Sequence, residues 1–215
     1  MKIGVFDSGV GGLSVATAIE KAMPEAEVLF RNDKKHLPYG SKPPAEILGY
    51  VLPILQQLVK EGCQVIVIAC NTVSTTLIRD LREQLDVPLI AVEPMVKPAA
   101  AMTKTRVIAV CATPTTLASQ RYAWLKATYA KDIKVVEPDC SDWTRMIEDN
   151  QVNENIIKDK INAAIEQGAD VIVLGCTHYH WIEELIKQMT NGRAQVIQPE
   201  KPVIEQLKRV LKQLS

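Results

Sequence analysis

Two segments of the chain repeat a spacing that has chemical consequences. Gly62, a Val65-Ile66-Val67 run and Cys70-Asn71-Thr72 are matched by Gly168, Val171-Ile172-Val173 and Cys176-Thr177-His178, each cysteine standing eight positions after its glycine. A short Val/Ile run reads as a buried strand, so each cysteine falls where a strand ends and a helix is due to begin. A helix start stabilises a thiolate and supplies N–H donors to a carboxylate, which makes either cysteine a candidate nucleophile or base. His178, two positions beyond Cys176, is a proton partner if the turn brings it back. A buried cysteine by itself more often packs than reacts, and strand composition alone can produce a match over 11 residues. The doubling of the cysteine is what favours chemistry.

Other polar groups lie at similar junctions. Asp7-Ser8-Gly9-Val10-Gly11-Gly12 follows the first apolar run and leads into a helical pattern. Its glycines permit tight backbone geometry, and its N–H groups suit an anion such as a carboxylate. The spacing is not the Gly-x-Gly-x-x-Gly of a dinucleotide site, so no nucleotide cofactor is expected. The loop Asn32 to Gly40 reads as a solvated turn, or as a flap in which Tyr39 and Gly40 close on a small polar ligand. In Thr113-Pro114-Thr115-Thr116 the hydroxyls read equally as helix caps and as carboxylate donors. Thr72 or Ser74 is expected to cap a helix starting near Thr75. Cys63, Cys111 and Cys140 read as packing or turn residues. No cysteine and histidine spacing fits a metal site, with His36 and His180 as the remaining histidines.

Elements of recognisable kind must position these groups. Apolar runs recur at Lys2 to Phe6, Glu27 to Phe30, Val65 to Ala69, Leu89 to Val92, Arg106 to Val110, Ile133 to Val136, Val171 to Leu174 and Ala194 to Ile197. Helical patterns at Leu13 to Met23, Ala45 to Lys60, Thr75 to Leu85, Thr115 to Tyr129, Ile156 to Gln167, Trp181 to Met189 and Val203 to Leu214 lie among them. Alternation of strand and helix, with strands apolar throughout, predicts parallel sheets covered on both faces. The expected fold is therefore α/β, with two pseudo-symmetric lobes. Each is a mostly parallel sheet flanked by helices, and the active site is expected in the crevice beyond the strands' carboxyl ends. Prolines at 88, 94 and 98 bracket the expected crossing near Glu93.

Composition narrows the partners. The 215 residues carry 25 Lys plus Arg against 25 Asp plus Glu, split 10 to 11 up to Lys97 and 15 to 14 after it. No half has the charge footprint expected for nucleic acid or an anionic membrane. No run reaches 18 apolar residues and no cleavage signature follows Met1, and five cysteines are an odd number for a disulfide scaffold, so a reducing cytoplasmic setting is expected. Trp124, Trp143 and Trp181 are each candidates for an interface anchor or for the core.

Asp7-Ser8-Gly9-Val10-Gly11-Gly12-Leu13-Ser14-Val15, Pro38-Tyr39-Gly40, Cys70-Asn71-Thr72 and Gly175-Cys176-Thr177-His178-Tyr179, in this order, resemble the glutamate racemases of the aspartate/glutamate racemase family. The resemblance runs from about residue 1 to 186. It implies interconversion of L- and D-glutamate without a cofactor, supplying D-glutamate for peptidoglycan, with the substrate held between two α/β lobes and usually a homodimer. Aspartate or another amino acid as substrate, or a weakly active binding or regulatory protein on the same fold, are the alternatives. It further implies that Cys70 and Cys176 are bases on opposite faces of Cα, assisted by Asp7 and His178 respectively, with Glu148 a weaker assistant. Ser8, Tyr39, Gly40, Asn71, Thr72, Thr113, Thr116 and Thr177 match positions that bind the amino acid. The last segment is expected to return to the first lobe, giving lobes of residues 1–95 with 202–215, and 96–201.

The chain departs from the family at His36, where arginine is usual, at Ser141 and His180, where prolines are usual, and at Gln198-Pro199-Glu200. It is also shorter than typical members, around residues 150–155 and at the C-terminus. These departures bear on substrate scope and subunit packing more than on the chemistry.

Overall fold

The computed structural model describes residues 1–214. The chain divides into two compact units, one of Met1–Glu93 with the C-terminal stretch from Pro199, the other Pro94–Gln198. The sequence reading put these boundaries at 95 and 201. Each second segment opens on a proline, which drives the preceding residue into extended backbone and interrupts helical continuation.

The first unit runs β1 (Lys2–Asp7), α1 (Gly12–Ala22), β2 (Glu27–Asn32), α2 (Pro44–Lys60), β3 (Val65–Ile68), α3 (Asn71–Gln84) and β4 (Leu89–Ala91). The second runs α4 (Val96–Met102), β5 (Val107–Cys111), α5 (Pro114–Leu117), α6 (Gln120–Tyr129), β6 (Lys134–Val136), α7 (Trp143–Glu148), α8 (Glu154–Glu166), β7 (Val171–Leu174), α9 (Glu183–Thr190) and β8 (Gln195–Ile197). A last helix, α10 (Glu200–Leu214), rejoins the first unit.

Both sheets are parallel and share one topology, β2-β1-β3-β4 and β6-β5-β7-β8. Strand order reverses between β1 and β3, and again between β5 and β7. A cleft outside the carboxyl ends is the usual result at such a point. Asp7, Ser8 and Cys70 stand at the first of these ends, and Cys111 and Cys176 at the second.

Alternate side chains enter opposite core layers. In the first unit Ile3, Val5, Val65 and Val67 pack with Val15 and Ile19 of α1 and with Val203, Leu207 and Leu211 of α10. Phe6, Ile66 and Ile68 pack on the other face with Ile47, Val51, Leu55 and Leu58 of α2 and Val73, Leu77 and Leu81 of α3. The α10 positions recur every fourth residue, one stripe of a helix. Each such fully buried aliphatic contributes about 1.5–3 kcal/mol. The second unit repeats the scheme. Cys111, Ile172 and Leu174 face α7 and α8, while Ile108, Val110 and Val173 face α4 and α6.

The repeated glycine has a common backbone role. Gly62 and Gly168 have φ of +89° and +98°, in the left-handed region open to glycine. In each copy the glycine N–H donates three residues back and the next N–H five back: Gly62 to Val59, Cys63 to Leu58, Gly168 to Ile165, Ala169 to Ala164. This is the Schellman closure of a helix, and it feeds the chain directly into β3 or β7.

Three expectations are corrected. α3 begins at Asn71, so Cys70 itself occupies the cap position, and Thr72 and Ser74 are not caps. The Ser74 and Thr75 hydroxyls donate back to the Asn71 carbonyl inside the helix. The expected helix over Thr115 to Tyr129 is two helices, because Ser119 accepts from the Tyr122 N–H and starts α6. The loop after β2 is not a solvated turn: Asp33 and Tyr39 are buried in it.

Candidate active site

In the first unit, registry places Phe6 opposite Ile68, so Asp7-Ser8 and Ala69-Cys70 leave the sheet side by side. Gly12 makes this possible, since an added Cβ would stand 2.4 Å from Asp7 Cβ and 3.0 Å from the Phe30 ring. Asp7, fully buried, accepts the Gly9 N–H at 2.8 Å. That bond shapes the loop into α1. The Cys70 Sγ lies 3.4 Å from the Ser8 Oγ.

Asn71 is 2% exposed, and among the described residues its side-chain amide nitrogen and oxygen are both buried without a hydrogen-bond partner. An unpaired buried polar atom costs about 1–3 kcal/mol, so this amide is suited to a ligand. Thr72 is buried beside it on the first turn of α3, where N–H groups lack intrahelical acceptors.

Tyr39 donates to Asp33 Oδ2 at 2.6 Å, and His36 Nδ1 lies 2.8 Å from both Asp33 oxygens while stacking on Tyr50 at 3.8 Å between centroids. Burial, then the bond to Asp33, pushes the Tyr39 phenol far above its ordinary range; the charges of Cys70 and Asp7 act in the same direction. Tyr39 is therefore a permanent O–H group near both. Gly40 sits in the short 3-10 helix Tyr39–Ser41.

The second unit gathers a different set. A 3-10 helix, Thr177–Ile182, starts directly after Cys176 and turns His178 back on it. Cys176 Sγ is 3.7 Å from His178 Nδ1, and His178 Nε2 is 2.6 Å from Glu148 Oε1 of α7. A carboxylate accepting from Nε2–H leaves Nδ1 to exchange a proton with sulfur. Thr177 and His178 are each 2% exposed. Tyr179 donates to the Cys140 carbonyl at 2.9 Å, and burial, followed by the charges of Cys176, Cys140 and Cys111, holds its phenol protonated. Burial and the neighbouring Cys111 push the Cys140 thiol up as well. A protonated thiol in the core fits its packing role.

Thr113 and Thr116 bond to each other, hydroxyl to hydroxyl at 3.0 Å, and Thr113 Oγ1 accepts the Thr116 N–H at 3.3 Å. Thr113 is thus the cap of α5. The structure brings Asp7, Ser8, Tyr39, Asn71 and Thr72 around Cys70, and His178 and Glu148 around Cys176. Sequence reasoning passed over Asp33 and Thr144, while Trp143, read as an interface anchor or a core residue, lies in the core. Asp33 was hidden in a charged stretch, and Thr144 lies on α7, a helix with no strong apolar period. Among the described residues no group of three His, Cys, Asp or Glu side chains is arranged to hold a metal.

A strand-end thiol thus stands in each of two like-folded α/β units. Residues 13–207 match the family model described as Asp/Glu/Hydantoin racemase, and the chain belongs to that family. It is 39% identical over 213 residues to the glutamate racemase of Ralstonia nicotianae, covering 97% of this chain and 77% of that one. The Escherichia coli glutamate racemase, solved with L-glutamate and the activator UDP-MurNAc-Ala, superposes with a TM-score of 0.91 at 28% identity, over 98% of this chain and 82% of that one. An aspartate racemase of Picrophilus torridus shares the fold, with a TM-score of 0.61 at 18% identity, over 97% and 93% of the two chains.

Proposed function

We propose that the chain interconverts L- and D-glutamate without a cofactor, with Cys70 and Cys176 as the two bases. The observation that carries this reading is that each repeat ends in a buried thiol with its own proton-handling neighbour: Ser8 for Cys70 and the His178–Glu148 pair for Cys176. Among the superposed structures the Escherichia coli glutamate racemase is more similar in sequence, at 28%, than the Picrophilus torridus aspartate racemase, at 18%, which favours glutamate.

Racemisation removes the Cα proton from one face and returns a proton to the other. One base tends to return the proton where it came from, so two are needed, one thiolate and one thiol, and they exchange states between the enantiomers. Thiols suit this task as a class, because neighbouring donors, cations or bases can populate either the thiolate or the thiol. In one direction the Cys70 thiolate takes the proton and the Cα–H electrons pass into the substrate carboxylate; Cys176 then donates from the opposite side. His178, held through Nε2 by Glu148, relays protons to Cys176, and Asp7 assists Cys70. The first turn of α3, with Asn71, Thr72, Ser8, Thr113, Thr116 and Thr177, suits the growing carboxylate charge. Tyr39, its proton given to Asp33, presents a phenol oxygen that accepts from the substrate's amino group, and Gly40 belongs to the same loop. Product D-glutamate is assigned to peptidoglycan synthesis, in the cytoplasm, by a homodimer.

Deuterium incorporation at Cα in D2O, measured separately with L- and D-glutamate and L- and D-aspartate, tests the reading. Exchange with both glutamate enantiomers and little with aspartate is the expected result. Preferred exchange with aspartate replaces the substrate, and no exchange with any of the four makes the chain a binding or regulatory protein.

A further inference from the structure

Thr144, on the first turn of α7, places Oγ1 at 3.9 Å from Cys176 Sγ, with either atom able to donate. The same hydroxyl is within hydrogen-bond reach of the Tyr179 phenol. The phenol's own proton is committed to the Cys140 carbonyl. Sulfur and phenol oxygen therefore compete for the one proton of Thr144.

A base that alternates between thiolate and thiol needs a neighbour that tolerates both. A hydroxyl donates to S⁻ and accepts from S–H by rotating about one bond, whereas an aliphatic side chain of equal size does neither. In the first unit Ser8, after β1, has this relation to Cys70 at 3.4 Å. The corresponding hydroxyl of the second unit, Thr113 after β5, is engaged with Thr116. The second unit meets the same need from a different element.

We infer that Thr144 is a positioning residue for Cys176, stabilising its thiolate and thiol forms in turn through one rotatable hydroxyl. The inference rests on the two-thiol reading above. The other titratable groups around the sulfur are His178 on the following 3-10 helix, with Glu148 of α7 behind it, Tyr179, Cys140 from the stretch after β6, and Cys111 at the end of β5. Thr144→Val changes none of them.

The test follows carbamidomethylation of Cys176 by iodoacetamide against pH without substrate, read by peptide mass spectrometry, with Cys70 in the same sample as reference. Thr144→Val is expected to raise the Cys176 midpoint by ~0.5–1 pH unit, roughly a three- to tenfold loss of thiolate at neutral pH, and to leave the Cys70 midpoint in place. Thr144→Ser should stay within about 0.2 unit of wild type. An unmoved Cys176 midpoint in the valine variant, an equal movement at Cys70, or a serine variant shifted as far as valine overturns the inference. Should the valine variant not fold, Thr144→Ala is read in the same way. Wild-type exchange at Cα judges the racemase reading independently, since the alkylation midpoint needs no substrate.

Discussion

Proton handling at single residues sets the sharpest test. Racemisation has an equilibrium constant of one, so kcat/KM must fall equally in both directions whichever base is removed. Cys70→Ser and Cys176→Ser are each expected to lose ~10²–10⁴-fold of turnover from either enantiomer, the range for removing a positioned acid or base. Steady-state racemisation of L- and D-glutamate by both variants is the measurement, and near wild-type rates in either one would end the two-base assignment. The neighbours differ in kind. Cys70 has a hydroxyl and a permanently protonated Tyr39 close by, while Cys176 has an imidazole oriented by a carboxylate. The reaction asks the same of both sulfurs, and the two units answer with unlike side chains. That is why Ser8 and His178 stood out in the sequence by type and position, while Thr144 did not.

The turns that deliver the thiols depend on backbone conformation at the scale of the element. An alanine at 62 or 168 meets its nearest neighbour at 3.8 or 3.4 Å, an ordinary contact, so the cost of Gly62→Ala or Gly168→Ala comes from left-handed backbone alone. Each is expected to lower stability by ~1–2 kcal/mol, visible as a lower urea midpoint. No shift in either variant would show that the closure is not required. The strands of both units were legible because Val-Ile-Val runs buried on both faces leave no ambiguity of period. The beginning of α3 was misplaced by four residues, because Asn and Thr are poor interior helix formers and read as caps, whereas here burial of the first turn overrides that preference. Helices α4 and α7 were missed for their shortness, since six or seven residues give no full apolar stripe. Of the two readings of the loop holding Tyr39, the solvated turn fails: Asp33, His36 and two lysines suggest water, while the carboxylate is satisfied internally by a phenol and a ring nitrogen.

For the whole molecule, the return of α10 links the end of the chain to its first strands. Leu207 is fully buried among β1, β3, β4 and α1 residues. Leu207→Ala is expected to cost ~2–5 kcal/mol. Hydrogen exchange would locate the loss: β1, β3 and β4 amides should exchange faster while β5 and β7 stay protected, and equal loss in both sets would contradict the division into units. The same connection orders events at the ribosome. The second unit is one continuous stretch, whereas the first lacks one wall of its core until α10 is made. Until α10 docks, the earlier-begun unit stays open along one apolar side, and a chaperone would find its target there.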